Sequence, residues 1–201
     1  MDPVNRIDTS LEIVEEGIKS CTQCPLYKTR THAVPGEGPN KPALMLIGEA
    51  PGKNEDLEGR PFVGAAGKKL SAMLESAGLK REEIFITSVL KCRPPENRLP
   101  TKEEGEECTH SWLNPQIQLL NPKIIGLMGN TAVKWVLGND FVFNLSKDHG
   151  RMITQYGHTY VLLYHPAAMI YNQSLKTTME EDFKKVAGHL MLARSADRLK
   201  G

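Results

Sequence analysis

The sequence predicts an α/β protein, built as a three-layer α/β/α sandwich around a central, mainly parallel sheet. Three short apolar runs, at residues 43–48, 83–92 and 123–129, have the length of buried strands. Segments with the helical spacing of apolar residues lie between these runs. This alternation is typical of parallel sheets that are covered by helices on both faces.

The length and composition suit a single domain spanning residues 1–201. The chain has 201 residues, 40% hydrophobic and 24% charged, which is ordinary for a globular protein with a real core. The net charge of +1 does not point to nucleic acid, so any basic surface must be local. No apolar run has the length of a membrane span, and the acidic N-terminal segment lacks an apolar signal region, so we expect a cytoplasmic protein with no membrane partner.

The N-terminal half contains two predicted helices. Residues 8–20 have helical apolar spacing, with Thr9 or Ser10 as the cap. Residues 65–79 have the same spacing, and Gly78 is a stop signal. The glycine- and proline-rich segments between these elements predict loops.

The C-terminal half contains three predicted helices, at residues 101–120, 130–138 and 177–199. Thr101 and Glu104 form a capping-box pattern at the first of them. The remaining signals are a cap at Asn130, a stop at Gly138, and a hairpin or two short strands around Gly157 within residues 151–166.

Three predicted strands end in polar loops, at residues 48–52, 91–95 and 164–166. Because ligands of open α/β sheets bind beyond the carboxyl ends of the strands, we expect these loops to meet at one functional edge.

The four cysteines indicate a metal or cluster site. Cys21 and Cys24 form a close C-x2-C pair, whereas Cys92 and Cys108 are scattered, which is unlike the two close pairs of a zinc ribbon. Scattered thiolates suit a [4Fe–4S] cluster, and the proline after Cys24 is common in such sites. A zinc ion and ordinary free thiols remain as alternatives.

The stretch "LMLIGEAPGKNEDLEGRPFVGAAG", residues 44–67, predicts a compact loop that contains candidate functional groups. It matches neither the P-loop nor the dinucleotide-binding pattern. A lone acid such as Glu49 is by default a capping or bracing carboxylate. In the same ordinary interpretation, Glu55 is a solvated loop charge and Phe62 packs in the hydrophobic core.

His165 ends an apolar strand, and Pro166 stiffens the following turn. A lone histidine is by default a structural group, and the apolar segment 167–171 is either core or a wedge. Together with Glu49, Phe62 and Ser88, His165 is a candidate wall of one polar pocket at the sheet edge.

The segments "GEAPGKNEDLEGRPFVGAAG", "TSVLKCRPPENRLP" and "YHPAAMI", with the four cysteines, resemble family 4 uracil-DNA glycosylases from about Cys21 to the C-terminal helix. The resemblance implies a four-stranded parallel sheet that binds DNA at its carboxyl edge. It also implies a [4Fe–4S] cluster on the cysteines, which are Cys21, Cys24, Cys92 and Cys108.

The resemblance also implies roles in excising a flipped uracil. Glu49 would orient water and stabilise the sugar cation, and His165, as a neutral imidazole, would donate to the developing uracil anion. Phe62 would stack on the ring, and Glu55 would crowd out the methyl group of thymine. Backbone groups around Gly48 and Ala50 would complete the recognition of uracil.

DNA contacts follow from the same resemblance. Lys91, Arg93 and Arg98 are candidates for phosphate contacts, and Met169 and Ile170 for the wedge that fills the vacated stack.

Two positions depart from the pattern of the family. Ser88 stands where many members carry an asparagine that reads uracil bidentately, which a hydroxyl cannot do. Tyr171 stands where arginine is frequent. The CRPP segment has no added histidine of the kind that traps DNA covalently in a related branch, so we expect ordinary turnover.

The predicted function is therefore a monomeric, nucleoid-associated uracil-DNA glycosylase acting on uracil in single- and double-stranded DNA. A glycosylase for other deaminated bases and a non-catalytic damaged-DNA-binding protein are the alternatives. A sliding clamp is a candidate partner, although neither end carries a clear clamp-binding peptide.

Overall fold

The computed structural model describes the backbone of residues 10–198 and the side chains of residues 10–193. In this part of the chain, five strands form one sheet. They are β1 Leu44–Gly48, β2 Ile84–Ser88, β3 Ile124–Met128, β4 Met152–Gln155 and β5 His158–Leu163. Their order across the sheet is β2-β1-β3-β5-β4, which confirms the predicted three-layer α/β class.

The strand number differs by one from the predicted four. Strands β2, β1, β3 and β5 pair in parallel, as predicted, whereas β4 adds an antiparallel edge against β5. The two strands are joined by Tyr156 and Gly157, whose φ angles of 51° and 80° suit a two-residue hairpin turn. The predicted hairpin around Gly157 therefore exists, and it supplies the extra strand.

The α-helices lie between and after these strands. They are α1 Leu11–Ser20, α2 Lys53–Glu58, α3 Ala65–Ser76, α4 Lys102–Cys108, α5 Asn114–Leu120, α6 Asn130–Leu137, α7 Leu145–Asp148, α8 Ala168–Tyr171 and α9 Leu175–Arg198.

Two hydrophobic layers cover the sheet, one on each face. Leu44 and Leu46 of β1 pack in a cluster with residues of α3 and α9. Met45 and Ile47 alternate with them and pack in the opposite cluster with residues of α1, α5 and α6. All of β1 is buried, as expected for a strand inside a parallel sheet.

Several predicted helix boundaries are confirmed. Ser10 caps α1 by accepting a hydrogen bond from the N–H of Ile13, while Asp8 and Thr9 lie outside the described residues. Thr101 and Glu104 form the predicted capping box of α4. Gly78 follows α3 with a φ of +68°. The last helix, α9, begins two residues earlier than predicted, and Leu199 lies outside the described residues.

Other boundaries differ from the prediction. The cap of α6 is Gly129, not Asn130. The predicted helix 101–120 is divided by a wider π-type turn at Thr109–Leu113. Pro115, which has no N–H, follows this turn at the second position of α5. The short helices α2, α7 and α8 lie in segments that were too short for a periodic signal.

In the described part of the chain, no helix is both long and apolar enough to cross a membrane.

Candidate active site

The carboxyl ends of four parallel strands build the candidate site. The loops after β1, β2 and β5 meet there, as predicted, and they bring Ala50, Ser88 and His165 to one concave pocket of about 230 Å³. The start of α6, which follows β3, also reaches this edge and contributes Thr131. The sequence pattern of this segment indicates only a helix start, so it did not point to Thr131 as a functional residue.

The pocket combines apolar walls with a few polar groups. The other residues that line it come from the segment before β1, from the segment between β1 and α3 with the start of α3, and from the loops after β2 and β5. The residues are Val34, Pro51, Gly52, Glu55, Pro61, Phe62, Ala66, Asn97 and Ala167.

Phe62 forms a fixed aromatic wall. Its backbone is in the left-handed region, with φ of 52°, which is uncommon for a bulky residue and signals a constrained turn. Gly67 makes the turn possible, because a Cβ there would collide with the carbonyl oxygen of Phe62. Gly48 leaves space for the ring, since a Cβ on it would lie 2.6 Å from Phe62 Cζ. The ring centroids of Phe62 and His165 are 5.7 Å apart.

Glu55 is a braced carboxylate, not a solvated one. Its Oε1 accepts hydrogen bonds from the N–H groups of Val63 at 2.9 Å and Gly64 at 2.8 Å, and its Oε2 accepts from the N–H of Gly52 at 3.1 Å. Three backbone donors therefore hold it in one pose in the pocket wall.

His165 has a defined proton arrangement. Its Nδ1 accepts a hydrogen bond of 3.2 Å from the N–H of Ala167, so the neutral ring carries its proton on Nε2. Burial lowers the pKa of His165 to about 4, against the opposing effect of the Glu55 charge. At neutral pH the residue is therefore an uncharged donor.

Glu49 follows β1 and faces a wider groove of about 890 Å³, which His165 also lines. Its Oε2 accepts a hydrogen bond from the hydroxyl of Thr131 at 2.5 Å. Within the described residues, Oε1 accepts no hydrogen bond. The carboxylate is thus anchored through one oxygen, and the other is available to a water molecule or a ligand.

Ala50 and Ser88 offer free polar groups to the pocket. Both residues line it. Among the described residues, neither the N–H of Ala50 nor the hydroxyl of Ser88 takes part in a hydrogen bond. These two groups are therefore available to a ligand.

The four cysteines surround a second, largely apolar cavity, behind the loop that follows β2. All four are free thiols. Three of the sulfurs accept N–H hydrogen bonds: Cys92 from Arg30 at 3.1 Å, Cys108 from the backbone of Lys91 at 3.3 Å, and Cys21 from Trp112 at 3.3 Å.

No three His, Cys, Asp or Glu side chains in the described ranges are arranged to hold a single metal ion. The ligands of one ion must converge on a point, whereas the cysteines of an iron–sulfur cube each bind a different iron and stand further apart.

Lys91 does not fit the predicted phosphate contact. Its side chain is only 1% exposed, and its Nζ donates to Thr87 Oγ1, the Ser88 carbonyl and Gln116 Oε1 at 2.7, 2.8 and 2.7 Å. Burial lowers its pKa to about 7. No local sequence pattern indicates this burial, because the partner Gln116 lies 25 residues away.

Arg93 and Arg98 lie on the loop after β2 with more access to solvent. The Nε of Arg93 donates to Asn97 at 2.8 Å. The guanidinium of Arg98 makes a bidentate pair with the buried carboxylate of Glu104, at 2.8 and 2.7 Å, while its side chain stays 42% exposed. Arg98 therefore braces this loop.

The two residues of the predicted wedge, Met169 and Ile170, differ in their exposure to solvent. Met169 is 6% exposed and belongs to the core layer with α9, so it does not fit a role as a wedge. Ile170 is 46% exposed, and its neighbour Tyr171 is more exposed still. The neighbouring residues Met169 and Ile170 therefore lie on different faces of α8, one buried and the other exposed.

Comparisons with known proteins identify relatives of this chain. The family model described as "Uracil DNA glycosylase superfamily" matches residues 35–190. The type-4 uracil-DNA glycosylase of Sulfurisphaera tokodaii is 46% identical over 185 residues, covering 88% of this chain and 83% of the relative. Those of Archaeoglobus fulgidus and Thermotoga maritima are 43% and 41% identical, and each alignment covers 92% of the relative. These two alignments cover 88% and 87% of this chain.

Proposed function

This chain belongs to the uracil DNA glycosylase superfamily, and on that premise we propose how its pocket excises uracil. The protein is a uracil-DNA glycosylase, a hydrolase that cleaves the N-glycosidic bond of uracil in DNA during DNA repair.

The observation that carries the mechanism is the hydrogen bond between Ala167 and His165 Nδ1. It leaves Nε2–H as the ring donor. In the transition state the glycosidic electron pair moves onto uracil, and negative charge grows on the O2 oxygen of the base. A neutral donor that is fixed before the reaction stabilises this charge without reorganisation. His165 takes this role.

Glu49 acts on the opposite charge. As the bond between C1′ and N1 breaks, positive charge grows on the sugar, and an ionised carboxylate nearby stabilises it. Thr131 anchors Oε2, so Oε1 can orient the attacking water. The water oxygen bonds to C1′, its proton leaves through Glu49, and the uracil anion takes up a proton from solvent.

The remaining pocket residues select the base. Phe62 stacks on the flipped ring. The fixed carboxylate of Glu55 closes the wall where thymine carries its methyl group. The free groups of Ala50 and Ser88, beside Gly48, hydrogen-bond the polar edge of uracil. Because Ser88 offers only a hydroxyl, backbone groups and water carry more of this recognition.

A [4Fe–4S] cluster fits the cysteine cavity. Its four ligands would be Cys21, Cys24, Cys92 and Cys108, which line one cavity as free thiols, and N–H donors face three of the sulfurs as is usual around clusters. When bound, the cluster supplies four iron–thiolate crosslinks between the segment after α1, the loop after β2 and the end of α4.

The DNA is uracil-containing single- or double-stranded DNA. Arg93 and the exposed part of Arg98 contribute phosphate contacts, and Ile170 enters the stack that the flipped base leaves. The protein acts as a monomeric single domain in the cytoplasm at the nucleoid, where its substrate is. A sliding clamp remains a candidate partner.

The two alternative functions are less well supported. The relatives at 40–46% identity are named type-4 uracil-DNA glycosylases, which favours uracil over other deaminated bases. The hydrogen-bonded pair of Glu49 and Thr131 is intact, which argues against a protein that only binds damaged DNA.

The test is base release from an oligonucleotide with one labelled uracil, followed by alkaline strand cleavage. Glu49→Ala should slow excision at least about 100-fold, because it removes transition-state charge stabilisation. Glu75→Ala, at an exposed position of α3, is the control and should excise at the wild-type rate. Wild type that binds the strand without releasing uracil would refute the mechanism.

A further inference from the structure

An exposed leucine stands at the rim of the groove that contains Glu49 and His165. Leu99 lies between β2 and α4, lines this groove, and leaves 70% of its surface in contact with solvent. Single exposed leucines are common on protein surfaces. This one needs an explanation because of its position beside the reacting groups and because of the way its loop is held.

Hydrogen bonds brace the loop that carries Leu99. Arg98 is locked to the buried Glu104 through two hydrogen bonds, and its Nη1 also donates to the carbonyl oxygen of Leu99 at 3.0 Å. The N–H of Thr101 donates to the same carboxylate of Glu104 at 2.9 Å. The backbone on both sides of Leu99 is thus fixed, while its side chain projects without apolar cover.

The sheet order places Leu99 opposite the predicted wedge. Leu99 follows β2 and Ile170 follows β5, and the strands between them, β1 and β3, carry Glu49 and Thr131 at their ends. With about 4.8 Å between neighbouring strands, the two flanking loops arise roughly 14 Å apart. The loops that carry Leu99 and Ile170 therefore begin on opposite sides of the strands that lead to Glu49 and Thr131.

The surroundings of Leu99 favour a nucleic-acid strand as the occupant. The groove also contains Lys134, and Arg93 and Arg98 lie on the same loop as Leu99. Apolar side chains between cations suit a strand whose phosphates meet the cations while its sugars and bases meet the apolar groups.

We propose that Leu99 is a DNA-contacting residue that packs against the nucleotide next to the extruded one, on the side opposite Ile170. This inference rests on the proposed function and deepens it. Leu99 stabilises the extruded state, so it matters most where extrusion is costly. In duplex DNA the flipped base must leave its pair and its stack, whereas in a single strand this cost is small.

The experiment compares Leu99→Ala with Leu192→Ala, a control at an equally exposed position, 70%, on α9. Single-turnover excision is measured on a single strand and on a duplex with a uracil–guanine pair. Leu99→Ala should lower the duplex rate about tenfold, in line with losing part of one buried leucine, and the single-strand rate less than threefold. Leu99→Gln, which keeps the length but not the apolar character, should behave in the same way.

A second readout does not depend on chemistry. A 2-aminopurine next to the uracil reports unstacking by fluorescence, and duplex affinity is measured with the same probe. Both signals should fall in Leu99→Ala and not in Leu192→Ala. Both signals can be measured even if wild type releases no base. A failure of the inference about Leu99 is therefore distinguishable from a failure of the proposed function. If the fluorescence rise with Leu99→Ala equalled that of wild type, or if this variant lost excision rate equally on single strand and duplex, the inference would be overturned.

Discussion

The Lys91 ammonium donates a hydrogen bond of 2.8 Å to the carbonyl oxygen of Ser88, while the backbone N–H of Lys91 donates to the sulfur of Cys108. One residue thus joins the cysteine cavity to the wall of the candidate pocket. The other partners of the ammonium, Thr87 and Gln116, both donate to the carbonyl oxygen of Pro35. The result is a buried polar network between the two sites.

Lys91→Met should destabilise the protein strongly. Methionine fills a similar volume but leaves the acceptors of Thr87, Ser88 and Gln116 without their donor, and each unsatisfied buried group costs about 1–3 kcal/mol. At roughly 2–4 °C per kcal/mol for a chain of this size, the melting temperature should fall by about 10 °C. Lys147→Met, at an exposed position, is the control in thermal unfolding. An unchanged melting temperature for Lys91→Met would contradict the network.

The His165 imidazole should titrate far below the ordinary value of about 6.5. Burial lowers its pKa to about 4, so the folded protein keeps the ring neutral while the unfolded chain binds a proton below pH 6.5. Its contribution to stability is therefore complete above pH 6.5 and is lost as the pH falls towards 4. Histidine NMR titration measures the pKa directly.

Denaturant unfolding gives the matching control for this titration. His165→Gln should lose less stability than wild type between pH 6.5 and 4, because glutamine takes up no proton in either state. Equal losses in the two proteins would show that His165 is not held neutral.

Thr131→Val should lower kcat for uracil excision by about tenfold with little change in KM. Valine preserves the shape of threonine but removes the hydroxyl that anchors Glu49 Oε2, so the carboxylate loses its fixed pose. Thr131→Ser retains the hydroxyl and should recover most of the rate. If the serine variant were as slow as the valine variant, packing and not the hydrogen bond would explain the effect.

Iron analysis tests the cysteine cavity. Purified protein should contain about four irons per chain and absorb broadly in the visible range. Cys108→Ser should lose both signals and lower the melting temperature, since the crosslink between α4 and the loop after β2 is lost. Stoichiometric zinc without colour would contradict the proposed cluster.

Glu55→Gln should destabilise the pocket loop by about 1–3 kcal/mol. The carboxylate accepts three backbone N–H bonds, and an amide nitrogen in place of one oxygen cannot accept any. Glu58→Gln, on the exposed side of α2, should leave stability unchanged. The two glutamine variants are compared by denaturant unfolding. A separate assay measures whether Glu55→Ala removes thymine from a mispair. Wild-type stability of Glu55→Gln would show that the brace is dispensable.

The sequence was sufficient for the parts of the fold that local physics controls. Buried apolar runs identified β1, β2 and β3, and the turn at Gly157 identified the hairpin. The capping box of Thr101 and Glu104 and the stop at Gly78 are local signals as well. The boundary errors fell at Asn130 and Pro115, where the helix start or path depends on the packing of neighbouring elements.

The motifs in the sequence were enough to identify the chain's family and the edge of the sheet where the candidate site lies, because they follow strand ends and parallel strands align their ends. The environment of each side chain at this edge is visible only in the folded protein. Lys91 and Met169 are buried, Glu55 is braced, and Thr131 anchors Glu49. Burial and hydrogen-bond partners come from residues that are distant in the chain, as Thr131 lies 82 residues after Glu49, and no local pattern encodes such a pairing.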